Sequence, residues 1–308
     1  MNLRDLRYIV ALADFGHFGR AAEACHVSQP TLSGQILKLE DELGVPLFER
    51  AGRSVRPTTA GADILARARQ ALAAADEIVA IAKASRDPLA GPLHLGVIPT
   101  LCPYLMPFVL PRAAAELPNM PLVLREDLTG RLVEAVGSGD IEAAIIASDP
   151  QTAGLTEAPL FDEAFSLALP ADHPLTGEAQ IATEAIDRDS LLLLTDGHCL
   201  RDQALELCGN GADPGTAMAD MRAASLETLL HMAAAGYGMT LLPALALAQQ
   251  RRLPRELTVR RLSDSRMRRQ VRLIYRAGYP RRAALQRLAR LVQESVAAPL
   301  AEAEAALR

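Results

Sequence analysis

Residues 190–209 read SLLLLTDGHCLRDQALELCG. The apolar run at 191–194 has the length and flanks of a buried strand. Thr195, Asp196 and Gly197 break it, and 200–207 then reads as a short helix with Leu200, Ala204, Leu207 and Cys208 on one side. Cys199 therefore stands at a helix N-terminus, where unpaired N–H groups and the macrodipole favour an anion. His198 precedes it and Arg201 follows two positions later. A thiol so placed is expected to lose its proton readily, and the thiolate is the reactive form. A helix from Cys199 to Cys208 spans about 13.5 Å, whereas a disulfide needs Cα atoms within roughly 7 Å. If the segment is helical when reduced, pairing the two cysteines means unwinding it. Two cysteines at this spacing are ordinarily read as packing; the polar flanks of Cys199 favour chemistry.

Outward from this stretch, the chain of 308 residues is long enough for two or three domains. Half the residues are apolar and the net charge is −5, so any nucleic-acid contact must come from local placement rather than bulk charge. Residues 1–60 hold seven Lys/Arg and seven Asp/Glu. Four cysteines suit a reducing compartment, where a disulfide is a signal rather than a staple. With no signal peptide and no apolar run of membrane length, a cytoplasmic protein is expected.

At the N-terminus, Leu3, Leu6, Ile9, Val10 and Ala13 keep a helical period, and 18–24 forms a second, shorter helix. His26 and Val27 make a turn, and Ser28 caps a third helix running to about Leu43. Three short helices with a tight second turn read as a helix-turn-helix. Leu32, Ile36, Leu39 and Leu43 are assigned to its core. Ser28, Gln29, Pro30, Thr31, Ser33, Gln35 and Lys38 are left to reach base edges or phosphates. Residues 45–57 read as a β-wing carrying Arg50, Arg53 and Arg56. The stretch 58–86 is one long helix. Its Gly61, Leu65, Ala68, Leu72, Ala75, Val79 and Ala82 form a coiled-coil seam that calls for a partner chain.

Beyond the breaks at Pro88 and Pro92, strand and helix signals alternate: 93–98, 103–117, 122–127, 129–138, 143–147. That is the pattern of a parallel α/β sheet. A second run starts near Phe165, passes through the cysteine segment to 239–246, and 269–275 is the last clear strand before a helix from about Arg281. Of 32 basic residues only Lys38 and Lys83 are lysine, and ten arginines lie between Arg251 and Arg276. Most are read as solvated, with at least one facing a cleft. No metal-ligand cluster and no phosphate-binding loop is evident, and no cofactor is expected.

The segments GHCLRDQALELC (197–208), SLETLLHMAAAGYGMTLLPALAL (225–247), MNLRDLRYIVALA (1–13), CHVSQPTLSGQILKLEDELGVPLFER (25–50) and GPLHLGVIPT (91–100) resemble the OxyR family, the peroxide-sensing LysR-type regulators. The resemblance covers nearly the whole chain. It implies an α+β multidomain protein. A winged helix-turn-helix (1–58) would be followed by a linker helix for dimerisation with its hinge (59–90). A two-lobed, periplasmic-binding-protein-like regulatory domain (91–308) would complete it, with lobe I near 91–162 and 268–308 and lobe II near 163–267. It further implies that Cys199 is the peroxidatic thiol, oxidised to a sulfenic acid, and that Cys208 resolves it as a disulfide. Thr100, Thr129, His198, Arg201, Asp202 and Arg269 form the polar shell, and Arg269 competes with Arg268 for that assignment.

The implied partners are hydrogen peroxide, double-stranded DNA with a partly palindromic site, a second and a fourth copy of the chain, RNA polymerase, and a thiol reductant such as glutaredoxin or thioredoxin. The expected role is a transcriptional activator, not an enzyme. Two rival readings remain open: a LysR-type regulator answering an organic effector, and a thiol peroxidase-like enzyme. Two departures stand out. The segment after Cys208 is longer and more Gly-rich than the family suggests and is expected to be mobile. Cys102 lies two residues from Thr100, where a packing role is expected, as it is for Cys25.

Overall fold

The computed structural model describes residues 1–51, 54–84, 87, 89–150, 152–207, 223–249 and 253–307. Arg53, Cys208 and the Gly-rich segment that follows it lie outside them. The chain divides into two compact units, Met1–Asp87 with Gly137–Asp140, and Pro88–Val136 with Ile141–Arg308. The long helix thus belongs to the first unit.

That first unit is built from α1 (Leu3–Phe15), α2 (Phe18–Ala24), α3 (Gln29–Leu43), the hairpin β1 (Phe48–Ala51) and β2 (Ser54–Pro57), and α4 (Thr59–Ala84). Each boundary has a local cause. Asn2 and Asp5 close a capping box on α1, and Gly16 ends it in the left-handed region. Ser28 caps α3 through Thr31 N–H at 3.3 Å, and His26 turns the chain at φ 55°. Leu6, Ile9, Leu12, Leu32, Ile36 and Leu39 form the core. Leu43 does not join them, since it is 36 % exposed at the last turn of α3. Glu40 ties the hairpin to α3 by accepting Leu47 N–H at 2.7 Å and Phe48 N–H at 3.1 Å.

The seam expected on α4 divides in two. Leu65 and Ala68 are buried in the unit's own core, with Ile64 and Leu72 packed against it. Further along, Ile78 and Val79 are exposed. The start of α4 is satisfied within the chain, and only its later turns present an unpartnered apolar face.

The second unit runs β3 (Leu93–Val97), α5 (Cys102–Glu116), β4 (Leu122–Glu126), α6 (Thr129–Ser138), β5 (Ala143–Ile146), β6 (Leu155–Pro170), β7 (Gln180–Ile181), α7 (Cys199–Leu207), α8 (Leu226–Ala234), β8 (Thr240–Pro243), α9 (Ala244–Ala248), β9 (Leu257–Leu262), β10 (Arg268–Arg276) and α10 (Arg282–Ala305). Its strands follow the order β4-β3-β5-β10-β6-β9-β7, with β8 also on β6. One long strand, β6, carries the sheet from one lobe to the other. The first part of β6 pairs with β10, up to Ala164 opposite Arg268. Its second part, from Phe165 onward, pairs with β8 and β9. The sheet is two-lobed, and the crossing point falls at 163–166.

Residues 191–194 do not make the expected strand. They are buried and extended, but form only isolated bridges, Leu191 to Met239 and Leu194 to Ala223. Met239 N–H donates to Ser190 O at 2.8 Å and Leu192 N–H to Met239 O at 2.7 Å, so a short loop partner replaces a ladder. The neighbouring Gly238 sits at φ 154°, where a Cβ would fall 2.3 Å from Ser190 O.

Gly61 is decisive for the first unit. A Cβ there would lie 2.0 Å from the carbonyl oxygen of Leu47, and backbone cannot yield as a side chain can. Gly61→Ala is expected to lower the unfolding free energy of the intact chain by about 1–3 kcal/mol, the usual cost of overpacking. Gly34→Ala on α3, where a Cβ meets nothing within 4 Å, is expected to be neutral or to stabilise by up to about 1 kcal/mol. Denaturant titration followed by circular dichroism compares the two, and equal midpoints would remove this account of how α4 meets the hairpin.

Candidate functional site

Cys199 is the first residue of α7 and is buried. The turn before it is set by Gly197, at φ 91°, where an added Cβ would be strained and would press on Leu128 Cδ1 at 3.0 Å. The absent side chain lets the start of α7 approach the loop that begins α6. One helical turn on from Cys199, Gln203 shares its face of α7, and its amide donates to Ala147 O at 2.7 Å, beyond the end of β5.

From the other lobe, the turn after β3 brings Thr100, which is 2 % exposed and whose hydroxyl favours ionisation of the Cys199 thiol. Arg269 reaches Thr100 from β10, with Nη1 donating to Oγ1 at 3.1 Å and Nη2 to the backbone carbonyl at 3.2 Å. The hydroxyl thus accepts from the guanidinium and is free to donate to sulfur. Behind Arg269 lies Glu163, its partner across the β6–β10 ladder, with Nε to Oε2 at 2.8 Å and both side chains wholly buried. The other Glu163 oxygen accepts Leu245 N–H at the start of α9, at 2.7 Å. The guanidinium also lies 5.9 Å from the centre of the Phe165 ring. Strand alternation parts the two neighbours: Arg269 points inward, while Arg268 is exposed beside Asp162.

Three buried polar atoms at the start of α6 and along α7 and its approach have no hydrogen-bond partner among the described residues: Thr129 Oγ1, His198 Nδ1 and Gln203 Oε1. Such atoms are costly unless something satisfies them. Burial lowers the pKa of His198 from its ordinary value, which favours a neutral ring able to accept a proton. The expectation for Cys199 itself is reversed. Burial pushes its thiol up, and the opposing pull of Arg269, Thr100 and Leu200 N–H does not overcome this, while Asp202 adds to the rise. Helix-end and cationic effects are worth about a kcal/mol, less than the cost of ionising a buried group. The nearby cation is Arg269 rather than Arg201, which pairs with Asp196 at 3.2 Å and Asp202 at 3.9 Å. Asp202 is itself largely exposed.

Five residues thus gather near the Cys199 thiol: Thr100, Thr129, His198, Gln203 and Arg269. Gln203 was missed in the sequence, though its position four residues after Cys199 was the signal. Cys102 is buried beside Thr100. Its thiol is pushed up to about 12 by burial, then by the charge and hydrogen bond of Glu126. Cys25 is partly buried. Cys25, Cys102 and Cys199 are all unpaired. No cluster of three or more His, Cys, Asp or Glu suited to a metal occurs among the described residues.

In the first unit, Gln29, Pro30, Thr31, Gln35 and Lys38 are exposed on α3 and Ser33 is half-buried. Ser28 is engaged as the cap, its hydroxyl 2.8 Å from that of Thr31. Arg56 is exposed on β2, and Arg50 lies on β1 opposite Val55.

Residues 3–62 match the bacterial regulatory helix-turn-helix proteins of the lysR family, and residues 86–297 match the LysR substrate binding domain. A hydrogen peroxide-inducible genes activator of Dickeya chrysanthemi is 44 % identical over 295 residues, covering 96 % of this chain and 95 % of that protein. The DNA-binding transcriptional dual regulator OxyR of Escherichia coli is 43 % identical over 95 % of both. Among solved structures, full-length OxyR from Pseudomonas aeruginosa with a C199D substitution aligns at a TM-score of 0.78. It is 43 % identical and covers 95 % of this chain and 98 % of that one. A cysteine-to-serine variant of Corynebacterium glutamicum OxyR with bound hydrogen peroxide aligns at 0.67 with 34 % identity, covering 99 % and 95 %. With both domains matched and this identity sustained from end to end, the chain belongs to the LysR family of transcriptional regulators, in its OxyR group.

Proposed function

We propose that the chain is a peroxide-responsive, DNA-binding regulator of transcription in which Cys199 is the sensing thiol. The observation that carries this is the pairing of a buried thiol with buried polar atoms left without partners at Thr129, His198 and Gln203. Hydrogen peroxide offers two O–H donors and two small acceptor oxygens, a match for such a site in size and in hydrogen bonding. Sulfur attacks one peroxide oxygen. The O–O bond breaks, the second oxygen takes up the thiol proton and leaves as water, and a sulfenic acid remains. Neutral His198 and the Thr129 hydroxyl are assigned to moving that proton, Thr100 to orienting the sulfur, and Gln203 to holding the peroxide.

Cys208 is assigned as the resolving thiol: its sulfur displaces water from the sulfenic acid and a disulfide forms. Cys199 to Leu207 is helical, so the far end of α7 lies about 12 Å from Cys199. A disulfide needs Cα atoms within roughly 7 Å. Oxidation therefore unwinds α7 and removes the Gln203 bond to Ala147, changing how the regulatory domains present themselves. A dithiol reductant such as glutaredoxin or thioredoxin restores the resting state. No helix among the described residues is long and apolar enough to cross a membrane, and we place the protein in the cytoplasm. The DNA-binding unit sets it apart from a peroxidase, for which that unit has no use. We assign it to activation through RNA polymerase on a partly palindromic site, as a tetramer built from dimers.

Peptide mapping after stoichiometric peroxide tests the chemistry. Cys199→Ser is expected to abolish peroxide consumption and the transcriptional response. Cys208→Ser is expected to accumulate a sulfenic acid that a 1,3-dione traps, with no disulfide. Hydrogen exchange over 195–207 should rise on oxidation of the wild type; unchanged protection with a Cys199–Cys208 bond proven by mass would refute the unwinding.

For assembly, Val79→Asp puts a charge on the exposed turns of α4, where burial against a second copy is costly. Sedimentation is expected to show a smaller oligomer with weakened DNA binding, and wild-type sedimentation would dismiss the seam. For DNA, Arg56→Ala should weaken all sequences alike and lower the salt slope by about one, whereas Gln29→Ala should cost mainly specific sites. Equal loss on operator and random duplex in the Gln29 variant would deny base readout by α3.

A further inference from the structure

Glu163 is a wholly buried carboxylate to which the chemistry above gives no part. Both its oxygens are committed as acceptors, Oε2 from Arg269 Nε at 2.8 Å and Oε1 from Leu245 N–H at 2.7 Å. It stands at the point where β6 leaves one half of the sheet for the other, directly across the ladder from Arg269. Held by Nε, the guanidinium is left with Nη1 and Nη2 aimed at the hydroxyl and carbonyl of Thr100, and both Thr100 and Arg269 act on the Cys199 thiol.

Among the described residues, the charged and titratable groups set around that sulfur are few. Arg269 comes from β10, Asp202 and the Arg201–Asp196 pair from α7 and its approach, and His198 from the turn before it. Cys102, near Thr100, is directed to Glu126. Arg269 is therefore the cation that acts on the thiol, and Glu163 is its buried counter-ion.

We propose that Glu163 is a charge-balancing, positioning residue of the sensing site, aiming Arg269 at Thr100 while offsetting most of the guanidinium's charge beside Cys199. This rests on the reading of Cys199 as the sensing thiol. A buried cation without a counter-ion favours ionisation of the nearest acid. Here that acid is Cys199, so Glu163 keeps the cysteine as a thiol at rest. It does so while its own contacts with α9 and β10 hold the site rigid. A glutamine cannot replace it, because one amide group offers a single acceptor oxygen to two N–H donors.

The test is the pH dependence of Cys199 alkylation by iodoacetamide in the full chain, followed by peptide mass so that the other cysteines do not interfere. In Glu163→Gln the midpoint is expected to fall by about one pH unit or more, which makes alkylation at neutral pH about tenfold faster. A merely structural role would change the rate at every pH and leave the midpoint in place, so an unmoved or raised midpoint overturns the proposal. Glu163→Asp keeps the charge and is expected to titrate with the wild type; a fall matching the glutamine variant would also overturn it. Should Glu163→Gln fail to fold, the double variant Glu163→Gln, Arg269→Gln carries the test, since it removes both charges at once. Its midpoint is expected within about half a unit of wild type, and a rise of about a unit or more would mean that Arg269 acted uncancelled. None of these measurements uses peroxide. Failure of wild-type Cys199 to oxidise would refute the sensing role separately.

Discussion

The ion pair between Arg269 and Glu163 is the interaction on which the regulatory unit turns. Two full charges are withdrawn from water on adjacent long strands, 106 positions apart in sequence. Such a pair is weak evidence of stability, because desolvation offsets most of the attraction. Its value is geometric. Removing either partner strands the other at a cost of about 3–5 kcal/mol, so the guanidinium has one permitted place. That place joins β10, the turn after β3 and, through Glu163, the start of α9. The crossing of the two lobes and the environment of Cys199 are consequently a single construction.

Within that construction the resting thiol is a compromise between opposing effects. The N-terminal end of α7, the Thr100 hydroxyl and Arg269 favour the anion; burial and Asp202 oppose it, and burial prevails. A sensor gains from this balance. A thiolate fully formed in the resting state would react with any electrophile that reached it. A buried thiol beside unsatisfied polar atoms discriminates by requiring a reagent small enough to enter and able to fill those hydrogen bonds. Selectivity here is a matter of packing and polarity together.

Much of the fold was legible because its signals are local. Ser28, Gly16 and Gly44 mark helix ends by capping chemistry, and the period of Leu32, Ile36 and Leu39 identifies the inner face of α3. In the second unit, Thr129 opens α6 and the apolar run of β3 fits a strand covered on both faces. What stayed hidden depends on distant partners. Glu163 is one acid among many until β6 is set against β10. The strand β9, LTVRRL, carries two arginines in six residues and reads as a solvated edge. The four leucines at 191–194 have strand character, but the ladder they would need is absent from the fold. The charge state of Cys199 was misjudged for the same reason: helix position is written in the sequence, while depth of burial is set by the opposite lobe.

Cys102 bears on how the molecule reports what it meets. Its thiol, two residues from Thr100, is pushed up to about 12 by burial and by Glu126, so at neutral pH it stays protonated. Although it neighbours the site, it is chemically silent. A second thiol can thus stand beside the site without competing with Cys199 for what enters it.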